Sequence, residues 1–342
     1  MRRHKLGLSI RRPDDFHLHA RQGALLSAVV PETARVFGRA LVMPNTLPPI
    51  ARPKDVERYR AEVSEASRPY PFRPLCSFKI SKQSAEHWSL RELRDGAGQG
   101  LVAGKYYPQG ATTNAEDGVR DPTELYPLFE TMQSAGTVLA IHGEDPSAFC
   151  LDREAAFLPT LARIAADFPR LRIVLEHVSS AAGVEAVTAL PGNVAATVTL
   201  HHLLLTLDDL IGDLLSPHLF CKPVVKTGAD RSALRRVVFA GIPKFFFGSD
   251  SAPHPRGAKE AARGSAGVFS APVALPVLAQ LFEEAGQLER LEDFVAGFGA
   301  EFYGLPRNAG EVTLAEKAWQ VPEEIGGAVP FLAGETLRWC VT

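Results

Sequence analysis

Short apolar segments alternate with helix-like segments along most of the chain, and this alternation constrains the fold more than any other feature. Eight apolar segments are predicted strands, at residues 6–19, 40–45, 72–80, 100–107, 137–142, 171–177, 193–199 and 244–250. Helix-like segments lie between several of them, at residues 31–38, 54–66, 86–95, 122–135 and 153–168. Strands separated by helices pair in parallel through right-handed crossovers, and eight such units close into a barrel. We therefore predict an α/β fold, a (β/α)8 TIM barrel, as a single domain over residues 1–342.

Polar residues with metal-binding or substrate-binding side chains follow or end most of these strands. They are His17, His19, Asn45, Lys105, His142, His177 and Asp250. The carboxyl ends of the strands in a (β/α)8 barrel share one rim, so these residues would converge there. A doubly wound open sheet is the alternative fold, but it would scatter the same side chains along a crest.

The histidines and the aspartate predict a site for two metal ions. His17 and His19 are two residues apart on an extended strand, so both imidazoles point to the same side. A catalytic zinc usually takes three protein ligands and a water, so four histidines and an aspartate exceed the needs of one ion. The set fits two ions that share a bridging water.

Lys105 is the unusual member of this set. An ammonium beside two dications would be repelled, so Lys105 must lose its proton or become anionic. Without the histidines, a lysine at a strand end would be interpreted as a phosphate or carboxylate binder, or as a Schiff-base lysine.

Composition narrows the possible partners. The net charge of −2 gives no indication of a nucleic-acid partner, and the basic start of the chain is not followed by an apolar segment long enough for a signal peptide or membrane span. We therefore predict a cytoplasmic protein with a small-molecule substrate and no membrane partner. The four cysteines are far apart and form no Cys-x-x-Cys, so buried thiols are expected rather than a zinc knuckle or a disulfide framework.

Several motifs together resemble the amidohydrolase superfamily and, within it, the dihydroorotases of the short bacterial type. The motifs lie at residues 11–19, 42–45, 111–114, 248–254 and 331–336, together with Lys105, His142 and His177. This resemblance covers nearly the whole chain.

The resemblance implies a binuclear zinc centre in each subunit. Lys105 would be carbamylated, and its carbamate and a hydroxide would bridge two Zn2+ ions. One ion would be held by His17, His19 and Asp250, and the other by His142 and His177. The formal charge of this centre, about +1, would polarise a carbonyl group.

The resemblance also implies a reaction, the reversible conversion of N-carbamoyl-L-aspartate to L-dihydroorotate in pyrimidine biosynthesis. Asp250 would be the catalytic residue that moves the proton between the attacking hydroxide and the leaving nitrogen. Substrate would be bound by the side chains of Arg21, Asn45 and His254, by the backbone near Lys222 and Ala266, and by Thr112 and Thr113 of a mobile lid. A homodimer is the expected assembly.

Arg21 and His254 also have plainer interpretations. Arg21 comes two residues after His19, where its planar guanidinium could pair with a carboxylate, but it could equally be a surface arginine. His254 alone would be interpreted as a structural histidine. His201 and His202 lie near a strand end, and we expect them at the surface or behind the site.

Two alternative functions remain open at this point. Another cyclic amidase, such as a hydantoinase or dihydropyrimidinase, would share the metal centre but has less need of Arg21 and His254. A catalytically inactive scaffold of the same fold would typically have lost ligands, whereas this chain keeps all six. The chain departs from the family pattern at Gln22, Lys222 and Gly104, none of which is an expected metal ligand.

Overall fold

An eight-stranded parallel sheet, curved into a nearly closed barrel, forms the centre of the protein in a computed structural model that describes residues 2–4, 7–112 and 114–342. The strands of these residues are β1 (Arg2–His4), β2 (Gly7–Arg11), β3 (Asp14–Leu18), β4 (Arg39–Val42), β5 (Arg73–Ile80), β6 (Leu101–Tyr106), β7 (Val138–Ile141), β8 (Ile173–Leu175), β9 (Val194–Val198), β10 (Phe245–Phe247), β11 (Glu311–Gln320) and β12 (Thr336–Val341). Strands β3 to β10 pair in chain order, each parallel to the next. A parallel bridge joins Leu18, the last residue of β3, to Ser251, which follows β10, so the first and last strands of this sheet also meet. The predicted (β/α)8 barrel is confirmed.

Helices connect and surround these strands. The α-helices are α1 (Gly23–Ala34), α2 (Pro53–Ala66), α3 (Lys82–Ala85), α4 (Leu90–Gly98), α5 (Tyr126–Ala135), α6 (Arg153–Asp167), α7 (Ala181–Ala189), α8 (Leu200–Leu204), α9 (Leu207–Ile211), α10 (Gly228–Phe239), α11 (Arg256–Lys259), α12 (Ala274–Glu284), α13 (Leu291–Ala296) and α14 (Phe298–Tyr303). Short 3-10 helices lie at Pro122–Leu125, Pro217–Leu219 and Leu288–Arg290. In the part of the chain that the structure describes, no helix combines the length and the apolar character needed to cross a bilayer.

Apolar side chains fill the barrel interior, which leaves the polar side chains for its ends. Phe16, Leu41, Leu75 and other residues of the barrel strands form one buried cluster. Helix α14 closes this cluster from the amino-terminal side, where Tyr303 stacks on Phe16 with ring centroids 4.6 Å apart. A barrel packed in this way is a core rather than a pore, so its chemistry belongs to a rim.

The first predicted strand, residues 6–19, was wrong as one continuous element. It divides at Arg12 and Pro13, where proline supplies no N–H to a ladder. Strand β2 pairs with β1 and β11 in a separate antiparallel sheet of order β1-β2-β11-β12, which the sequence analysis did not predict. The first barrel strand is therefore β3, which begins at Asp14.

Two predicted helices also differ from the structure. The helix predicted at residues 31–38 begins eight residues earlier and ends four residues earlier, as α1, because its buried apolar side begins at Leu26. The helix predicted at residues 86–95 corresponds to α4, which begins at Leu90, and the short helix α3 before it was not predicted. Each of these two helices starts with a serine whose side chain accepts a hydrogen bond. The single-domain boundary at residues 1–342 stays a prediction.

Candidate active site

One cavity at the carboxyl ends of the barrel strands gathers most of the predicted site residues. Eleven of them line it, namely His17, His19, Arg21, Asn45, Thr112, His142, His177, Lys222, Asp250, His254 and Ala266. Tyr107 also lines the cavity. Lys105 lies beside it, with the lysine Nζ 5.3 Å from the centroid of the Tyr107 ring. Thr113 lies outside the described residues.

His17, His19 and Asp250 form the first group of possible metal ligands. Asp250 Oδ1 lies 3.1 Å from His19 Nε2 and 3.4 Å from His17 Nε2. Burial opposes ionisation of Asp250, but the two histidines outweigh it and hold the pKa of this carboxyl well below its ordinary value. Burial also lowers the pKa of His19 to about 4, so His19 is a neutral donor near pH 7.

His142 and His177 form the second group. His142 Nδ1 lies 3.2 Å from His177 Nε2, and both rings are buried. Donors around one tetrahedral ion, each about 2.1 Å from it, are separated by roughly 3.4 Å, so this pair has the spacing of two ligands of one ion. Burial holds the pKa of His177 well below its ordinary value, which keeps its lone pair available.

Two buried glutamates orient these histidines. His17 Nδ1 donates to Glu176 Oε2 at 2.7 Å, and His142 Nε2 donates to Glu144 Oε2 at 2.7 Å. Each bond fixes the proton on the ring nitrogen that faces away from the neighbouring ligands, so the other nitrogen presents a lone pair. Sequence analysis missed both glutamates, although each lies within two residues of a predicted histidine ligand.

Lys105 is fully buried, and its Nζ has no hydrogen-bond partner among the described residues. Burial lowers the pKa of Lys105 to about 8, against the opposing charges of Glu176 and Asp250. Within the same described part of the chain, Glu176 Oε1 and His177 Nδ1 are also buried without partners. A lysine whose neutral form is accessible, beside two groups of neutral imidazoles and a carboxylate, fits a carbamylated bridge between two cations better than it fits a free ammonium.

Arg21 and His254 meet in the same cavity. Arg21 Nη2 lies 3.0 Å from His254 Nε2, and Arg21 Nε donates to the Pro253 carbonyl at 2.6 Å. His254 Nε2 also lies 3.0 Å from the Ala266 carbonyl oxygen, so this nitrogen can accept from the arginine or donate to the carbonyl. Burial and the charge of Arg21 lower the pKa of His254 to about 3, so this ring is neutral. The pair presents a guanidinium cation beside a neutral ring that can donate a hydrogen bond, an arrangement suited to a carboxylate.

Backbone strain marks the same residues. Among the described residues, five that are not glycine have positive φ, and three of them are Arg21 at 64°, His177 at 42° and Asp250 at 43°. Such conformations are costly and cluster at functional sites. This feature could not be predicted from the sequence, because it depends on contacts between different strands.

A third group of possible ligands lies outside the lining of the cavity. His201, His202 and Cys221 are buried, with donor atoms within 4.8 Å of one another. Both histidines are buried, so the surface position is wrong for them; the alternative expectation, a position behind the site, stays a prediction. His202 Nε2 and the Cys221 thiol both donate to the Pro223 carbonyl, so two of the three groups already have partners.

Comparison with known proteins agrees with this geometry. A family model described as Amidohydrolase matches residues 52–285. A dihydroorotase of Teredinibacter turnerae is 42% identical over 98% of this chain and 98% of its own length. The crystal structure of dihydroorotase from Campylobacter jejuni is 37% identical, with a TM-score of 0.90 over 100% of this chain and 99% of that one. The crystal structure of dihydroorotase from Saccharomyces cerevisiae in complex with 5-fluoroorotic acid is 35% identical, with a TM-score of 0.91 over 98% of both chains.

Proposed function

The chain belongs to the dihydroorotases of the amidohydrolase family, and on that premise we propose that it catalyses the reversible conversion of N-carbamoyl-L-aspartate to L-dihydroorotate in pyrimidine biosynthesis. The observation that carries this proposal is the placement of Arg21 and His254 in one cavity with two groups of metal ligands. The substrate has both an amide to be hydrolysed and a carboxylate that takes no part in the reaction. A hydantoinase substrate has no such carboxylate, so the Arg21 and His254 pair favours dihydroorotate.

We assign two Zn2+ ions to the two groups of ligands. His17, His19 and Asp250 would hold one ion, His142 and His177 the other, and carbamylated Lys105 and a hydroxide would bridge them. Ions bound there supply Lewis-acid polarisation of the scissile amide and activate a water molecule. The unpartnered Nζ of Lys105 and its lowered pKa support the carbamate, because only the neutral amine reacts with CO2.

The residues of the chain would orient substrate and move one proton. Arg21 and His254 bind the carboxylate, with Asn45 beside them on the rim. The backbone near Lys222 and Ala266 meets the polar edge of the ring, and Thr112 covers the substrate from the loop after β6. Asp250 Oδ1 faces the histidines, so the other carboxylate oxygen is assigned the transfer of a proton from water to the leaving nitrogen.

Lys105→Ala tests the proposed metal centre. We expect this variant to lose at least one metal ion and nearly all dihydroorotate hydrolysis, because the anionic bridge offsets the charge of two dications. Metal analysis and the assay would be done on the same samples, and a short carboxylic acid such as propionate should partly restore both. Lys82→Ala, at the surface, is the matched control. Two bound ions and full activity in Lys105→Ala would contradict the proposed bridge.

The homodimer implied by the resemblance and the cytoplasmic location expected from the composition stay predictions.

A further inference from the structure

A buried lysine that takes no part in the proposed chemistry holds the loop above the cavity. Lys79, near the end of β5, is 3% exposed, yet it is not a metal ligand and does not line the cavity. Its Nζ donates to the Asn114 carbonyl at 2.6 Å and to the carboxylate of Asp117. Both partners belong to the loop that follows β6, here called the lid loop, whose described residues are 107–112 and 114–119 and which also carries Thr112.

The lid loop is held at a second point on the rim. Asn114 Nδ2 donates to the Asn45 carbonyl at 3.0 Å, so the loop reaches from the end of β6 to the residues that follow β4. Asn114 has a φ of 56°, a left-handed conformation that asparagine tolerates better than most residues. In this conformation one residue offers its carbonyl to Lys79 and its side-chain amide to Asn45.

Breaking these contacts would cost more free energy at Lys79 than at its partners in the lid loop. A lysine is almost never fully buried unless its ammonium is paired, because an unpaired buried charge is costly. The Asp117 side chain, by contrast, is half exposed and can return to water. Lifting the lid loop would therefore remove both partners of a buried cation, which favours the closed loop before substrate arrives.

We propose that Lys79 and Asp117 form a latch that sets how much of the enzyme has its lid loop closed in the absence of substrate. Lys79 is a positioning residue in this proposal, since it acts through the loop and touches no reacting atom. If only the closed form completes the site, the apparent affinity falls in proportion to the closed fraction. Loss of the latch should then raise KM and leave kcat at saturating substrate unchanged. The kinetic part of this inference rests on the proposed function; the structural part does not.

Hydrogen exchange of the lid loop and steady-state kinetics test the latch together. In Asp117→Asn we expect the ratio of open to closed loop to rise about tenfold, as for loss of a hydrogen bond to a charged group. Faster exchange without substrate reports the rise in the open fraction and a higher KM for dihydroorotate reports the fall in the closed fraction, so the two fold-changes should multiply to about ten. Lys79→Met should have an effect at least as large, because it also removes the bond to Asn114. The double variant should match Lys79→Met, since Asp117 acts only through Lys79.

Lys82→Met is the matched control for these variants. Lys82 lies three residues after Lys79 and pairs with Glu124 at the surface, so the same chemical change there should alter neither exchange nor KM. Exchange and KM in Asp117→Asn that both stay within twofold of the unaltered protein would overturn the latch, and so would independent, additive effects of the two substitutions. Asp117→Asn still tests the latch even if Lys79→Met folds poorly, because the Asp117 side chain is half exposed. If the lid loop exchanges hydrogen as expected but the protein does not hydrolyse dihydroorotate, the latch is supported and the proposed function is refuted.

Discussion

Asp250 carries two roles at the residue scale, as a metal ligand and as the group that moves the proton. Asp250→Asn keeps the size of the side chain and one oxygen for the metal, but it removes the base. We expect kcat for dihydroorotate hydrolysis to fall by about 10²- to 10⁴-fold, the usual loss for general acid and base catalysis. Metal content measured on the same preparation separates the two roles. Nearly unchanged turnover with both metals retained would show that another group moves the proton.

Arg21 decides between dihydroorotate and substrates without a carboxylate. Arg21→Met should lower kcat/KM for dihydroorotate by at least about 100-fold, because breaking a desolvated ion pair on one side costs roughly 3 to 5 kcal/mol. Metal content should not change, since Arg21 contacts Pro253 and His254 rather than the ligand groups. Arg91→Met, on an exposed arginine, is the control. Equal rates on dihydroorotate for Arg21→Met and Arg91→Met would favour a generic cyclic amidase.

The candidate ligands could be predicted from the sequence, but the residues that orient them could not. His17, His19, His142, His177 and Asp250 are recognisable because each side chain is a common metal ligand at or just beyond a strand end. Glu144 and Glu176 are ordinary acidic residues in the sequence, and their role appears only when the fold brings each against a histidine ring. Lys79 was missed for the same reason, since its partner Asn114 lies 35 residues further along the chain.

At the scale of elements, the turn between β8 and α7 depends on one buried carboxylate. Glu154 of α6 accepts four hydrogen bonds, from the backbone N–H and the hydroxyl of both Ser179 and Ser180. Ser180 in turn accepts from Gly183 N at the start of α7. A Cβ at Gly183 would lie 2.4 Å from Glu154 Oε1, so glycine allows this close approach. The turn follows His177 directly, and its geometry positions that ligand.

Glu154→Gln should therefore destabilise the protein. The amide group of glutamine would face N–H and O–H donors and leave about two of them unsatisfied, at roughly 1 to 3 kcal/mol each. We expect a decrease of about 2 to 4 kcal/mol in the free energy of unfolding, measured by urea denaturation. Glu185→Gln, on the exposed side of α7, should change it by less than about 0.5 kcal/mol. Equal stabilities of the two variants would show that the turn does not depend on Glu154.

At the scale of the whole molecule, the barrel could be predicted from the sequence, whereas the separate antiparallel sheet could not. Apolar strands buried on both sides give continuous hydrophobic segments that local composition reveals, and Phe245–Phe247 is an example. The antiparallel sheet of β1, β2, β11 and β12 pairs residues near the two ends of the chain, such as Leu8 with Leu314. Buried apolar residues alternate with exposed polar residues in parts of these strands. Strands that lie some 300 residues apart in the sequence leave no local pattern from which their pairing could be predicted.

The ratio of kcat/KM for dihydroorotate to kcat/KM for hydantoin, measured on the zinc-loaded protein, tests the central claim most directly. Both rings present an amide to the metal centre, but only dihydroorotate presents a carboxylate to Arg21 and His254. Leaving the partly buried guanidinium of Arg21 without its carboxylate partner costs roughly 3 to 5 kcal/mol, so the ratio should exceed about 100. A ratio near one, or a preference for hydantoin, would contradict the assignment of this chain as a dihydroorotase.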